Sequence, residues 1–186
     1  MNLPNILTIT RVFLIPIFLF VLFVRVFPHP YGQYLAALIF IVAAITDGLD
    51  GYLARSRRQI SRFGKFMDPV ADKLLISSAL ISLLALGKIQ FLPVIIIISR
   101  EIAVSGLRSM AASDGNIIVA SRWGKYKTIS QVIAITALLV NDLYPFDLIS
   151  PVDQVALWIA VVLTIFSGLE YFYRYKSTII RDGEVL

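Results

Sequence analysis

The chain has 186 residues, 58% of them hydrophobic and only 16% charged, with a mean hydropathy of +0.82. That is more apolar surface than a water-soluble domain of this length needs, so composition places it among integral membrane proteins. The absence of cysteine excludes a disulfide framework and any thiolate metal site. The net charge of +5 has to be read by position along the chain, and no nucleic-acid partner is expected from it.

At the amino end, Arg11 precedes an apolar run from Val12 to Val24, as in a secretory leader. Arg25 and "FPHP" follow where small cleavage-site residues would stand, so the run is read as a retained first span. A helix of about 20 residues crosses about 30 Å of hydrocarbon. Six segments fit, at roughly 7–27, 33–54, 66–87, 89–110, 123–141 and 152–173. The breakers "FPHPYG", "LGK", "SDGN" and "YPFDLISP" mark most of the joints. The expectation is an all-α integral membrane protein with six transmembrane helices, forming one domain over residues 1–186.

Lysine and arginine orient the spans. The joint between spans two and three holds Arg55, Arg57, Arg58, Arg62 and Lys65. The joint between four and five is flanked by Arg108, Arg122, Lys125 and Lys127, and the tail carries Arg174, Lys176 and Arg181. Six spans put these three regions on one side, opposite His29, Lys88, Asp142, Asp147 and Asp153. Both termini are therefore expected in the cytoplasm, with His29 far from any chemistry there.

The joint between spans two and three reads "DGLDGYLARSRRQISRFGKFMDPVADK" from Asp47 to Lys73. Asp47 and Asp50 are i, i+3, and Asp68 and Asp72 are i, i+4, so each pair shares a helix face. Antiparallel packing across the short basic linker lets the two acidic faces meet. From Asp72 to Ala85 the helix runs only about 20 Å, which holds the carboxylates near headgroup depth on the cytoplasmic side. Charge there is costly without a partner or a cavity. Neutralisation by Arg55, Arg57, Arg58 and Arg62 would require neither four acids nor glycines at 48, 51 and 64, where bare backbone lets a ligand approach. Four carboxylates suit hard cations such as Mg²⁺ or Mn²⁺, and two such ions stabilise in-line displacement at phosphorus.

The pattern Asp47-x2-Asp50-Gly51-x2-Ala54-Arg55-x8-Gly64-x3-Asp68-x3-Asp72 resembles the signature of the CDP-alcohol phosphotransferases, with all eight fixed positions filled. The resemblance implies that family's fold of six transmembrane helices, usually a homodimer, with a site open to the cytoplasm. It implies that Asp47, Asp50, Asp68 and Asp72 bind two divalent cations and that Asp72 is also the general base. It further implies that Gly51, Arg55 and Ser61 contact the CDP-linked lipid. "PNILTITR" resembles the family's amino-terminal segment, in which Asn5 and Thr8 touch the cytidine diphosphate; helix capping is an equal reading for Asn5.

"SREIAVSGLR", from Ser99 to Arg108, and "GKYKTISQ", from Gly124 to Gln131, resemble segments of the bacterial phosphatidylglycerophosphate synthases. That subfamily joins CDP-diacylglycerol to glycerol 3-phosphate at the bacterial plasma membrane and releases CMP. Read from the residues alone, a dianionic acceptor needs cations near the metal site, and Arg100, Arg108, Lys125 and Lys127 stand on the correct side. The alternative reading is that they are interfacial anchors, as many such residues are. Arg100 lies about 11 residues into its span, at about the depth of the aspartates. Glu101 and Arg108 share a face and are placed to pair. Lys125 and Lys127 are two apart, so only one is expected to face the pocket. Tyr171, Phe172, Tyr173 and Tyr175 read as an interface belt. Three rivals remain: a cardiolipin or phosphatidylinositol-phosphate synthase with the same chemistry, an ion-coupled transporter, and a structural membrane protein whose acids pair with arginines.

Overall fold

The structure is a computed structural model that describes residues 3–24, 31–57, 62–113, 121–141 and 150–182. Side chains are described for these except at 3–5, 47–57, 62–66, 68, 113, 150 and 175–182. The described residues form α1 (Leu3–Phe23), α2 (Tyr31–Arg57), α3 (Arg62–Ala85), α4 (Phe91–Ser113), α5 (Arg122–Val140) and α6 (Ser150–Asp182), with no strand among them. Their order matches the six apolar segments. The sixth runs past residue 173 because no breaker stands before Gly183 and its polar residues continue the helix.

Helix α1 packs mainly on α2 and α3, and α6 packs on α5 and α4; α3 also touches α4 and α5. Phe18 and Phe40 meet at 6.0 Å between ring centroids at the α1–α2 seam. Around them Ala36, Ala37, Ala43 and Ala79 are buried, and these small side chains let helix backbones approach closely. Buried Leu75, Leu80, Leu83, Ile135, Leu138 and Leu157 continue the same core through α3, α5 and α6. Gln131 on α5 donates to Thr164 on α6 at 3.0 Å inside this core.

The outward faces are as apolar as the core. Phe13, Leu38, Ile81, Ile95, Ile133 and Phe166 are exposed, one from each helix in turn. Apolar residues over so much of a surface mark contact with lipid or protein rather than water. Two stretches, Ile6–Phe23 and Pro151–Arg174, are long and apolar enough to cross a membrane, and Tyr31–Thr46 is a shorter apolar run.

A set of polar contacts ties one end of the bundle. Helix α3 ends in a Schellman turn: Gly87, at φ +73°, donates to the carbonyl of Leu84 and Lys88 N donates to that of Leu83, each at 2.9 Å. A β-carbon at that φ would be strained, so glycine is the residue that fits. The turn delivers Lys88 Nζ to the carbonyl of Leu138 (3.1 Å) and to Gln33 Oε1 (3.5 Å). Gln154 donates to the carbonyl of Lys88 at 3.1 Å, and Asn141 donates to Asp153. This clasp ties α2, α3, α5 and α6 together at the end away from the aspartate segment.

Candidate active site

Helix α2 carries Asp47 and Asp50 in its last turns, and adjoining α3 carries Asp68 and Asp72 in its first. The helical assignment keeps the two spacings i, i+3 and i, i+4, so each pair lies along one face of its helix. Gly51 and Arg55 follow on α2, and Asn5 opens α1. The side chains of Asn5, Asp47, Asp50, Arg55 and Asp68, with the surroundings of Gly51, lie outside the described residues, and so does Ser61 altogether. Among the described residues no group of three or more His, Asp or Glu converges. The donor set nevertheless fits hard divalent cations in kind: four carboxylates on two neighbouring helices, with no cysteine in the chain.

Thr8 and Arg11 lie one turn apart on α1, both buried, Arg11 completely. Arg11 Nε donates to the carbonyl of Ala43 at 3.3 Å, one turn before Asp47 on α2. Read in the sequence only as the residue before the first apolar run, Arg11 is thus an internal cation between α1 and the acidic end of α2.

Asp72 opens into a cavity of about 510 Å³ between α3, α4, α5 and α6. Pro69, Asp72 and Lys73 line it from α3, while Arg100, Glu101, Val104, Ser105 and Arg108 line it from α4. Gly124, Lys125, Lys127, Thr128 and Ile129 close it from α5, with Tyr171 from α6. Thr8 is not among its walls. Five of the lining residues are Lys or Arg and two are Asp or Glu, so the cavity has a surplus of positive charge suited to a phosphate dianion.

The cations differ in how they are held. Glu101 is buried and takes both Arg100 Nη1 (3.5 Å) and Lys127 Nζ. Arg100 Nη2 also donates to Ser167 Oγ at 2.5 Å, and its guanidinium lies 5.6 Å from the centre of the Tyr171 ring. Arg108 and Lys125 are exposed and make no hydrogen bond or ion pair with another described residue.

Three sequence expectations need correction here. Glu101 pairs with Lys127 and Arg100, not with Arg108: seven residues along a helix is about 10.5 Å, whereas α5 brings Lys127 alongside. Lys125 and Lys127 both line the cavity, because it wraps around the amino end of α5 instead of meeting a single face. Tyr171 is no part of an interface belt. It is 5% exposed and faces inward, and its hydroxyl accepts from Ser121 N at 3.0 Å, while its neighbours Phe172 and Tyr173 are exposed. Sequence reading also passed over Lys73, Ser105, Thr128 and Ser167. Lys73 carries a signal of its own, a cation directly after an aspartate of the motif, and Ser105 and Thr128 lie inside the two segments that resemble the synthases.

Carboxylates at one end and a cation-rich cavity beside them, on a bundle with apolar outer faces, suit phosphorylated substrates met at a lipid surface. The chain belongs to the CDP-alcohol phosphatidyltransferase family, whose profile matches residues 1–166. It is 46% identical over 186 residues to the CDP-diacylglycerol–glycerol-3-phosphate 3-phosphatidyltransferase of Bacillus subtilis (strain 168), covering 93% of this chain and 94% of that protein. The proteins of the same name from Haemophilus influenzae and Rickettsia bellii are 40% and 38% identical, over 96% and 95% of this chain and 96% of each relative.

Proposed function

We propose that this protein transfers the phosphatidyl group of CDP-diacylglycerol to sn-glycerol 3-phosphate, giving phosphatidylglycerophosphate and CMP. The observation that carries this reading is the cavity in which Asp72 faces Arg100, Arg108, Lys125 and Lys127. The names of the relatives supply the two substrates, and the cation-rich cavity supports one of the two subsites proposed for them. The CDP-linked lipid belongs at the α2–α3 end, with Asn5, Thr8, Gly51, Arg55 and Ser61 as its contacts. The phosphate of the acceptor belongs in the cavity, where the four cations hold it.

Asp72 stands where the two meet. It takes the proton of the acceptor hydroxyl as that oxygen attacks the phosphorus bearing the diacylglycerol. The new oxygen–phosphorus bond forms as the bond to the CMP oxygen breaks, and CMP leaves. Asp47, Asp50, Asp68 and Asp72 would hold two divalent cations, Mg²⁺ or Mn²⁺, which supply neutralisation of the diphosphate and of the charge gathering on the leaving group. The apolar surface exposed on every helix supports six membrane spans. By the positive-inside rule, the cations around the cavity favour the cytoplasm of a bacterial cell for that end, and with it for both termini. A homodimer is the expected assembly.

The test is CMP release by the purified full chain with CDP-diacylglycerol, Mg²⁺ and a panel of acceptors. Glycerol 3-phosphate is expected to support turnover at the lowest concentration. Faster release with phosphatidylglycerol or inositol phosphate would reassign the acceptor. Cation flux without CMP release would move the protein to the transporters.

A further inference from the structure

Arg100 reaches the cavity by a route that α6 leaves open for it. A β-carbon built on Gly168 would stand 3.1 Å from Arg100 Cγ and 3.8 Å from its Nε. Carbon atoms at rest pack at about 3.5–4.0 Å, so any larger residue would displace the arginine stem. Glycine is a poor choice inside a 33-residue helix on propensity alone, about 1 kcal/mol below alanine. On either side of this gap, Ser167 accepts from Arg100 Nη2 and the Tyr171 ring lies beneath the guanidinium. Residues 167, 168 and 171 are i, i+1 and i+4, a single stripe of α6.

The same stripe holds α5. Tyr171 Oη accepts from Ser121 N, and Ser121 is the N-cap of α5, its Oγ accepting from Gly124 N at 3.1 Å. Gly124 in turn lies 3.9 Å and 4.0 Å, measured from an ideal β-carbon, from Tyr171 Oη and Ser167 Oγ. The turn that follows carries Lys125 and Lys127. One face of α6 therefore fixes cations arriving from two other helices.

We propose that Ser167, Gly168 and Tyr171 form the positioning element of the acceptor pocket: they set where Arg100 and the amino end of α5 stand, and so set affinity for the acceptor's phosphate. The inference rests on the acceptor reading of the cavity given above. Ser167 and Gly168 act through Arg100, whereas Tyr171 acts through both Arg100 and Ser121.

The experiment is a double-mutant cycle on the full-length enzyme, with kcat and KM measured separately for glycerol 3-phosphate and CDP-diacylglycerol. Gly168→Ala is expected to raise KM for glycerol 3-phosphate roughly fivefold, a coupling typical of side chains in contact, and to leave KM for CDP-diacylglycerol unchanged. Ser167→Ala adds no bulk and carries the same prediction if Gly168→Ala yields no folded protein. In an Arg100→Ala background, both changes are expected to have less than about a twofold further effect. An equal effect in that background, or a parallel rise in both KM values, would overturn the inference. If Arg100→Ala raises the acceptor KM and neither α6 change does, the inference fails and the acceptor reading stands. If Arg100→Ala leaves the acceptor KM unchanged, both fail together.

Discussion

The two halves of the candidate site are assembled by different means. On α2 and α3 the four aspartates are set by spacing within each helix, i, i+3 and i, i+4, on two helices that are neighbours in the chain and in contact. On α4 and α5 the cations take their places from distant partners: Arg100 is held by Ser167, 67 residues further on, and the cap of α5 by Tyr171, 50 residues on. The first half depends on spacing and the second on packing. Substitutions in the first half should therefore remove function outright, while those in the second should weaken recognition of one substrate in steps.

The largest loss is expected at the aspartates. Asp47→Asn or Asp68→Asn keeps the side-chain shape and removes a charge from the cation-binding set. Turnover should fall roughly a thousandfold or more, as when a principal electrostatic contact to the transition state is lost. Thermal stability should change little. Near-normal CMP release from either variant would rule out the carboxylate set as the centre of the reaction.

Asp72→Asn comes next, with a loss of about 10²–10⁴-fold if Asp72 is the base. The diagnostic is kcat against Mg²⁺ concentration. A loss that persists at saturating Mg²⁺ fits a proton acceptor, and substantial recovery would leave Asp72 a ligand alone. The smallest effect on catalysis is expected at the far clasp. Lys88→Ala removes charge-assisted bonds to Leu138 and Gln33, together about 2 kcal/mol. It should lower the melting temperature in detergent by several degrees and leave both KM values unchanged. A change in acceptor KM there would show that the two ends of the bundle are coupled.

The same contrast explains what the sequence made legible. Six apolar segments separated by Pro- and Gly-containing breakers located the helices because span length and turn chemistry are local properties. The aspartate motif was readable for the same reason. Arg100 was singled out from its depth in an apolar span, and it does line the cavity. Its partners were not readable, since nothing near Ser167, Gly168 or Tyr171 in the chain points to α4. Tyr171 sits within "EYFYRY", where its neighbours do face outward, and only the packing of α6 on α4 and α5 separates it from them. Helical spacing alone makes Lys125 and Lys127 rivals for one flat wall, but the cavity curves around the start of α5 and takes both.

If the cavity beside Asp72 is the acceptor's site and not the lipid nucleotide's, its cations serve one substrate only. Steady-state kinetics of Arg100→Ala with each substrate varied in turn test this most directly. Loss of a charge-assisted contact to phosphate, about 1.5–3 kcal/mol, should raise KM for glycerol 3-phosphate tenfold or more and leave KM for CDP-diacylglycerol as it was. An unchanged KM for glycerol 3-phosphate, or a rise confined to CDP-diacylglycerol, would contradict it.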